Sequence, residues 1–323
     1  MVYHVPINTG RAGTANNGTG RNLMHQLKRL ALVALLSTCT AMPVMPAMAQ
    51  NDRQTTVQDG IEVRPLFRFR NLVSEEQLNE ASAQQYAQLL GQAQQKGVLL
   101  PQSHPETQRL RNIARRIIPH TARWNQLATK WQWQVNLIDS KDVNAFCMPG
   151  GRIGFFTGIL TSLKLTDDEV AAVMGHEIAH ALREHSRERM VKQAGTNLVA
   201  RGVGALASGI LGIDPSITGT FAGYGAQLIG LKYSRDDERE ADLVGLDIAA
   251  RAGYDPRAGI ALWRKMAALD KRTPIQLLST HPGGENRIAI MEDHMNVLLP
   301  VYARTKGTTV SRLPPYRTNV ALR

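Results

Sequence analysis

Cysteine is nearly absent from this chain of 323 residues, which contains only Cys39 and Cys147. Two cysteines exclude a disulfide framework. The residues around Cys39 resemble a lipoprotein cleavage box, but Thr38 fits poorly at its position, so a lipid anchor on Cys39 is less favoured than its removal with a signal peptide. Cys147 would then have no partner, and we expect it to be a small, buried and unreactive residue. The chain therefore tolerates an oxidising compartment without using it.

Long apolar runs are scarce as well. The run over residues 30–36 follows a basic pair and is shorter than the ~20 residues that a membrane helix needs. An A-x-A site follows and ends at Ala49. These features predict a secretory signal peptide that begins at Met24 and is cleaved after Ala49, so that residues 1–49 are an upstream extension plus signal and the mature chain is periplasmic. A retained anchor is the alternative.

Acidic residues are outnumbered by basic ones, and the formal net charge is +11. Four of the 38 bases lie in residues 1–49, which hold no acid, so the mature chain would carry +7. The excess is spread along the chain and is not interleaved with aromatic residues in a way that suggests base stacking. Nucleic acid is therefore not an expected partner, whereas attraction to an anionic membrane surface is compatible with this charge.

The most informative segment is His176-Glu177-Ile178-Ala179-His180. Two histidines four positions apart on a helix share one face, so both imidazoles can reach one cation. Glu177 lies beside them, placed to take a proton from an activated water. This is the H-E-x-x-H pattern of zinc metalloproteases. The alternative is a pair of core histidines beside a surface glutamate.

The residues around this motif predict a buried helix. Thr166 and Glu169 form a capping box, which predicts a helix from about residue 167 toward residue 190. Most of its neighbours are uncharged. Elsewhere, apolar spacing predicts further helices and a few short strands, so we expect an α+β fold that is mostly helical. The predicted strands cover residues 131–138, 144–148 and 152–156.

Composition divides the mature chain into three parts. Residues 50–73 form a polar leader, residues 74–299 the folded domain, and residues 300–323 a basic, proline-containing tail that we expect to be disordered. Within the domain, residues 202–231 are rich in glycine and alanine. We interpret this segment as either two small packed helices or a mobile cover over the metal cleft.

A catalytic zinc needs a third protein ligand. Arg183 and Ser186 occupy the positions where the extended H-E-x-x-H-x-x-G-x-x-H motif requires glycine and histidine, so that motif is excluded. A glutamate on a later helix is the common alternative, and residues 235–251 have the right character. Glu238 lies on one face of this helix, whereas Glu240 points to nearly the opposite side.

That face also carries Ala241, Asp242 and Gly245. The small Ala241 and Gly245 would let the helix approach the zinc helix closely. Glu238 would then reach the metal, while Asp242 accepts a hydrogen bond from a ligand histidine. Taken alone, the acidic and basic run would be a solvated helix with many ion pairs.

With Asn144-Ala145-Phe146 and Pro149-Gly150-Gly151, these motifs resemble the zinc metalloendopeptidases related to HtpX, Oma and the CAAX prenyl proteases, closest to the periplasmic LoiP/BepA-like members. The resemblance covers residues 74–296. It implies a gluzincin-type domain with a small sheet, the zinc helix in its core and one Zn²⁺. It also implies His176, His180 and Glu238 as metal ligands, Glu177 as general base and Asp242 as a hydrogen-bond partner of a ligand.

The resemblance implies an endopeptidase that cleaves unfolded or misassembled envelope proteins, with peripheral association with the outer membrane or its assembly machinery as a further possibility. The chain lacks the tetratricopeptide repeats of BepA-like members, so we do not expect it to escort outer-membrane proteins. It also lacks the membrane helices of HtpX, which argues against a prenylated substrate. A zinc-bound chaperone-like factor and an exopeptidase are the alternatives.

Two further groups of residues are candidates for the mechanism. The extended segment with Asn144, Ala145 and Phe146 would offer an edge to a substrate strand. His281, in a loop, and Arg287 correspond to a His-Pro and Arg-Ile pairing that lies near the zinc in relatives. His281 would either take the open zinc position and inhibit the enzyme, or donate a hydrogen bond to the oxyanion with support from Arg287.

Overall fold

A computed structural model describes residues 56–200, 232–271, 275–281 and 285–320. The predicted signal peptide and the predicted cover at residues 202–231 lie outside the described residues. In the part of the chain that is described, no helix has both the length and the apolar character needed to cross a membrane. The α-helices are α1 Glu75–Gln95, α2 Pro105–Ile117, α3 Thr157–Ser162, α4 Asp167–Leu182, α5 His185–Ala200, α6 Arg235–Arg251, α7 Arg257–Asp270, α8 Gln276–Thr280, α9 Glu285–Asp293 and α10 Met295–Thr305.

The described strands form two small sheets, so the fold is α+β and mostly helical, as predicted. Strands β1 Thr56–Gln58 and β2 Ile61–Val63 make an antiparallel hairpin. Strands β3 Gln134–Ile138, β4 Ala145–Met148 and β5 Arg152–Phe156 form a sheet in the order β3-β5-β4. The pair β3/β5 is parallel with Gln134 opposite Arg152, and β4/β5 is antiparallel with Ala145 opposite Phe155. Strand β4 is therefore an edge strand of this sheet.

The N-terminal hairpin belongs to the folded domain. Ile61 and Val63 are buried in the main core, and Val73 is buried in a second cluster that includes Tyr86 and Phe146. The prediction that the domain begins at residue 74 is therefore wrong. The polar composition of residues 50–73 concealed alternating apolar residues, and two of them on one face of β2 are enough to dock the strand.

Helix α4 carries the H-E-x-x-H motif through the centre of the domain. The capping box is present, because the Thr166 side chain accepts from the Glu169 N–H and the Glu169 side chain accepts from the Thr166 N–H. Nearly all residues of α4 are buried. The helix ends at Leu182 rather than near residue 190, because Glu184 adopts a φ of 56°, and the chain restarts as α5 at His185.

Helix α6 packs directly against α4, as the small residues predicted. A Cβ placed on Gly245 would lie 2.6 Å from the His176 nitrogen, and one placed on Gly175 would lie 2.5 Å from the Gly245 oxygen. The two backbones thus touch at a point one residue before the first motif histidine. This contact fixes the distance between the two helices that carry His176 and Glu238.

The C-terminal residues pack on the N-terminal end of α4. Helix α10 continues through Pro300 to Thr305, and beyond it the Thr318 hydroxyl donates to Glu169 at 2.6 Å. The buried Lys265 ammonium donates to Glu169 at 2.7 Å and to Asn319 at 2.9 Å. The prediction of a disordered tail is therefore wrong for residues 300–320. The basic, proline-containing composition of this segment did not reveal that the buried pair Lys265 and Glu169 offers hydrogen-bond partners to Thr318 and Asn319.

Candidate metal centre

Four buried side chains bring one donor atom each to a common point. His176 and His180 come from α4, Glu238 from α6 and His281 from the residue after α8. His176 Nε2 lies 3.1 Å from His180 Nε2 and 3.2 Å from His281 Nδ1. Glu238 Oε1 lies 3.5 Å from His180 Nε2 and 3.1 Å from His281 Nδ1. All four atoms lie within 4.8 Å of one another.

The spacing of these donor atoms suits a tetrahedral metal. A zinc–nitrogen distance of 2.0–2.1 Å places the corners of a tetrahedron about 3.3 Å apart. The four separations given above, from 3.1 to 3.5 Å, bracket this value. Imidazole and carboxylate are also the donor types that zinc accepts. The predicted ligands His176, His180 and Glu238 are therefore compatible with a zinc site, and His281 adds a fourth donor.

Glu177 lies beside the cluster but does not belong to it. Its Oε1 atom is buried and has no hydrogen-bond partner among the described residues, and the nearest ionisable nitrogen is His281 Nε2 at 3.7 Å. Burial raises the pKa of the Glu177 carboxyl, although the neighbouring His281 and His176 oppose this. A buried carboxylate oxygen without a donor is costly, so the site calls for a bound donor such as water.

Asp242 and Arg287 hold the ligand side chains in place. Asp242 Oδ1 lies 3.0 Å from His176 Nδ1, as the sequence predicted. The Arg287 guanidinium donates to Asp242 at 2.6 and 2.7 Å and to Glu238 Oε2 at 2.6 Å, and it lies on the Trp263 ring. Burial raises the pKa of Asp242, but Arg287 and the hydrogen bond to His176 lower it by more. Arg287 thus contacts both carboxylates, the one that belongs to the donor cluster and the one that contacts His176.

Comparison with known families decides the identity of this domain. The sequence profile of peptidase family M48 matches residues 104–294, which is more than half of the chain. The chain belongs to peptidase family M48.

Individual M48 relatives come from mitochondria and from bacteria. The mitochondrial metalloendopeptidase OMA1 of Arabidopsis thaliana is 35% identical over 181 residues, which cover 54% of this chain and 35% of the relative. The metalloprotease LoiP of Escherichia coli K12 is 33% identical over 158 residues, which cover 49% and 60%. The beta-barrel assembly-enhancing protease of the same strain is 29% identical over 210 residues, which cover 62% and 41%. In each case the chain spans less than two thirds of the relative's length.

The predicted substrate strand in this M48 domain is β4, and its three candidate residues differ in orientation. The backbone carbonyl oxygen of Asn144 accepts from the Phe156 N–H. Because backbone groups alternate in direction along an antiparallel strand, those of Asn144 and Phe146 point toward β5 and those of Ala145 point away from it. The Ala145 N–H donates to the Asn144 side chain at 2.9 Å. The Phe146 ring is buried in the second cluster. Only Ala145 of the three therefore directs backbone groups to the outer edge.

Several residues around the M48 site escaped the sequence analysis. The Tyr233 ring stacks on His180 with centroids 3.9 Å apart, and its hydroxyl lies 3.2 Å from that of Ser186. His185 contacts His180 as well. Glu240 is turned away from the metal cluster, as predicted, but it is buried against Arg183 and is not solvated. The sequence offered one signal for Tyr233: it immediately precedes Ser234, the N-cap of the helix that carries Glu238, and so had to lie near the metal ligands.

Proposed function

We propose that this M48 protein is a periplasmic zinc-dependent endopeptidase that hydrolyses peptide bonds of unfolded or misassembled envelope proteins. The observation that carries the proposal is the juxtaposition of the buried cluster of four donor side chains with the Glu177 oxygen that has no hydrogen-bond partner among the described residues. The family membership and the similarity to OMA1, a metalloendopeptidase, and LoiP, a metalloprotease, support the same activity.

In this proposal His176, His180 and Glu238 hold the zinc ion. When bound, zinc lowers the pKa of water and polarises a carbonyl oxygen. Glu177 takes the proton from the attacking water and delivers it to the nitrogen of the leaving amine. Its burial suits the first of these steps, since a carboxylate with a raised pKa takes a proton more readily. Asp242 and Arg287 hold the side chains of His176 and Glu238 in place through hydrogen bonds.

In this proposal the substrate is an extended chain, because the sheet beside the metal site ends in an edge strand, β4. Strand β4 packs beside α4, and the outward backbone groups of Ala145 would pair with a substrate strand. Main-chain pairing of this kind recognises unfolded polypeptides with little dependence on side chains. The Asn144 side chain would release the Ala145 N–H when a substrate binds.

A periplasmic location is supported by the signal-like residues 1–49 and by similarity to two E. coli proteases, although similarity to OMA1 alone would suggest a mitochondrion. Similarity to a beta-barrel assembly-enhancing protease supports peripheral association with the outer membrane or its assembly machinery. N-terminal sequencing of protein from the envelope fraction should give a chain that begins at Gln50. A lipid-modified Cys39 would instead show an anchored protein.

The activity is tested by digesting a denatured protein with the zinc-loaded enzyme and identifying the products by mass spectrometry. We expect internal cuts for the native sequence and none for the matched variant Glu177→Gln, which should retain zinc because Glu177 is not a ligand. Trimming from the chain ends would show an exopeptidase. Zinc retention without any cleavage would favour the chaperone-like alternative.

A further inference from the structure

The two histidines of the motif have different partners at their outer nitrogen atoms. His176 Nδ1 faces a carboxylate, Asp242, at 3.0 Å. His180 Nδ1 faces a second imidazole, His185 Nδ1, at 2.9 Å. The other nitrogen of His185, Nε2, lies 3.3 Å from Glu240 Oε2. Among the described contacts, the outer nitrogen of His180 thus reaches a carboxylate only through His185.

These contacts select one arrangement of protons. The Nε2 atom of His180 belongs to the donor cluster, so its Nδ1 carries the hydrogen and donates it to His185 Nδ1. His185 is then the acceptor at Nδ1 and keeps its hydrogen on Nε2, from which it donates to Glu240. Each ring nitrogen of His180 and His185 thus has one role, as donor or as acceptor, and these roles specify one tautomer for each ring.

Two arginines hold Glu240, which is the last group in this row of hydrogen bonds. Arg183 donates to Glu240 Oε1, and Arg64 donates to Glu240 Oε2 at 2.7 Å. Arg64 also donates to Glu188 on α5 at 3.1 Å. Arg64 follows β2, so the N-terminal hairpin helps to hold Glu240. His185 itself is buried and has little freedom to turn.

The break between α4 and α5 makes the contact between the imidazoles possible. On an uninterrupted helix His185 would lie about 140° around the axis from His180, because each residue turns by about 100°. The left-handed conformation of Glu184, with a φ of 56°, ends α4 and redirects the chain. The first residue of α5 is thereby turned back toward His180.

We propose that His185 is a positioning residue for the metal site, which orients His180 and strengthens it as a ligand through a hydrogen-bonded chain to Glu240. This inference rests on the proposed function, in which His180 binds zinc. Outer hydrogen-bond partners of ligand histidines fix the tautomer and raise basicity, and their loss typically costs 10–100-fold in metal affinity.

The test compares zinc affinity among variants of the whole mature protein. His185→Leu removes the acceptor with little change in volume, whereas His185→Asn restores an acceptor, since Oδ1 of asparagine occupies the place of Nδ1. His294→Leu is the matched control, because the His294 side chain bonds only the Ile290 carbonyl in the described contacts and lies outside the donor cluster. Zinc affinity is measured by competition with a chromophoric chelator, and ligand geometry by the visible spectrum of the Co²⁺-loaded protein.

We expect His185→Leu to weaken zinc binding by about 10–100-fold and to shift the Co²⁺ bands. His185→Asn should recover most of that loss, and His294→Leu should match the native protein. A purely structural role would lower the unfolding temperature of the metal-free protein in both His185 variants without the recovery in affinity. Native affinity in His185→Leu, or equal losses in His185→Leu and His185→Asn, would overturn the proposal.

The same measurements separate this proposal from the proposed function. If His180→Ala binds zinc as tightly as the native protein, the metal site itself is wrongly assigned. If His180→Ala loses zinc but His185→Leu does not, the metal site stands and only the positioning role of His185 is refuted.

Discussion

The contact between Gly175 and Gly245 leads to the most quantitative prediction for this fold. In Gly245→Ala the new methyl carbon would lie 2.6 Å from the His176 nitrogen and 2.7 Å from the Gly175 carbonyl carbon. Both neighbours are backbone atoms, which cannot rotate away as a side chain would. Restoring ordinary contact at 3.4 Å requires α4 and α6 to separate by about 0.8 Å at this point.

Two losses should follow from this separation. Overpacking a close contact costs about 1–3 kcal/mol of unfolding free energy. Glu238 and Asp242 lie on α6 within two turns of Gly245, so their oxygens would move away from His176 as well. Since the donor separations of 3.1 to 3.5 Å are already close to those of a tetrahedral site, we expect zinc affinity to fall along with stability.

The assay is urea unfolding of the metal-free protein together with the zinc competition measurement. Gly91→Ala is the matched control, because Gly91 lies within α1 and a Cβ there would meet nothing within 4 Å. Alanine in an open helical position should stabilise the protein by about 0.5–1 kcal/mol. Equal stability and zinc affinity in Gly245→Ala and the native protein would refute the close-contact argument.

Three other experiments test the remaining assignments. Glu238→Ala should lose far more zinc than Glu240→Ala, because Glu238 Oε1 faces the donor atoms and Glu240 acts only through His185; equal zinc contents by atomic spectroscopy would reject Glu238 as a ligand. His281→Ala should raise the rate of cleavage of an unfolded substrate, because His281 Nδ1 stands at the fourth donor position that water needs. A fall by about 10²-fold would instead mark His281 as an oxyanion donor. Cys147 should resist iodoacetamide until the protein is unfolded, since burial and the nearby Glu177 raise the pKa of its thiol; rapid labelling of the folded protein would contradict its buried position.

Local patterns were sufficient to predict the elements that carry the chemistry. The capping box at Thr166 and the i, i+4 histidines define one face of α4, and the spacing of Glu238 and Asp242 defines one face of α6. Helical periodicity fixes which side chains share a surface. That rule also predicted that Gly245 would face α4.

Contacts that depend on the interruption of a helix, or on segments distant in sequence, could not be predicted in this way. His185 reaches His180 only because Glu184 leaves the helical conformation, and a periodic pattern does not reveal such a break. The approach of His281 depends on how α8 is placed by the rest of the fold; the sequence supplied the residue but not its role. The ordered tail depends on Lys265, whose buried partner Glu169 lies 96 positions earlier.

The donor cluster also links parts of the chain that are far apart, since His176 and His281 are separated by 105 positions. Among the described residues no disulfide does this, because Cys147 is a free cysteine. A ligand that binds only the folded state stabilises it by mass action, by about 2.7 kcal/mol when its free concentration is 100 times the dissociation constant. The unfolding temperature of this protein should therefore rise with the free zinc concentration of the buffer. Its persistence in the cell would then depend on zinc supply as well as on sequence.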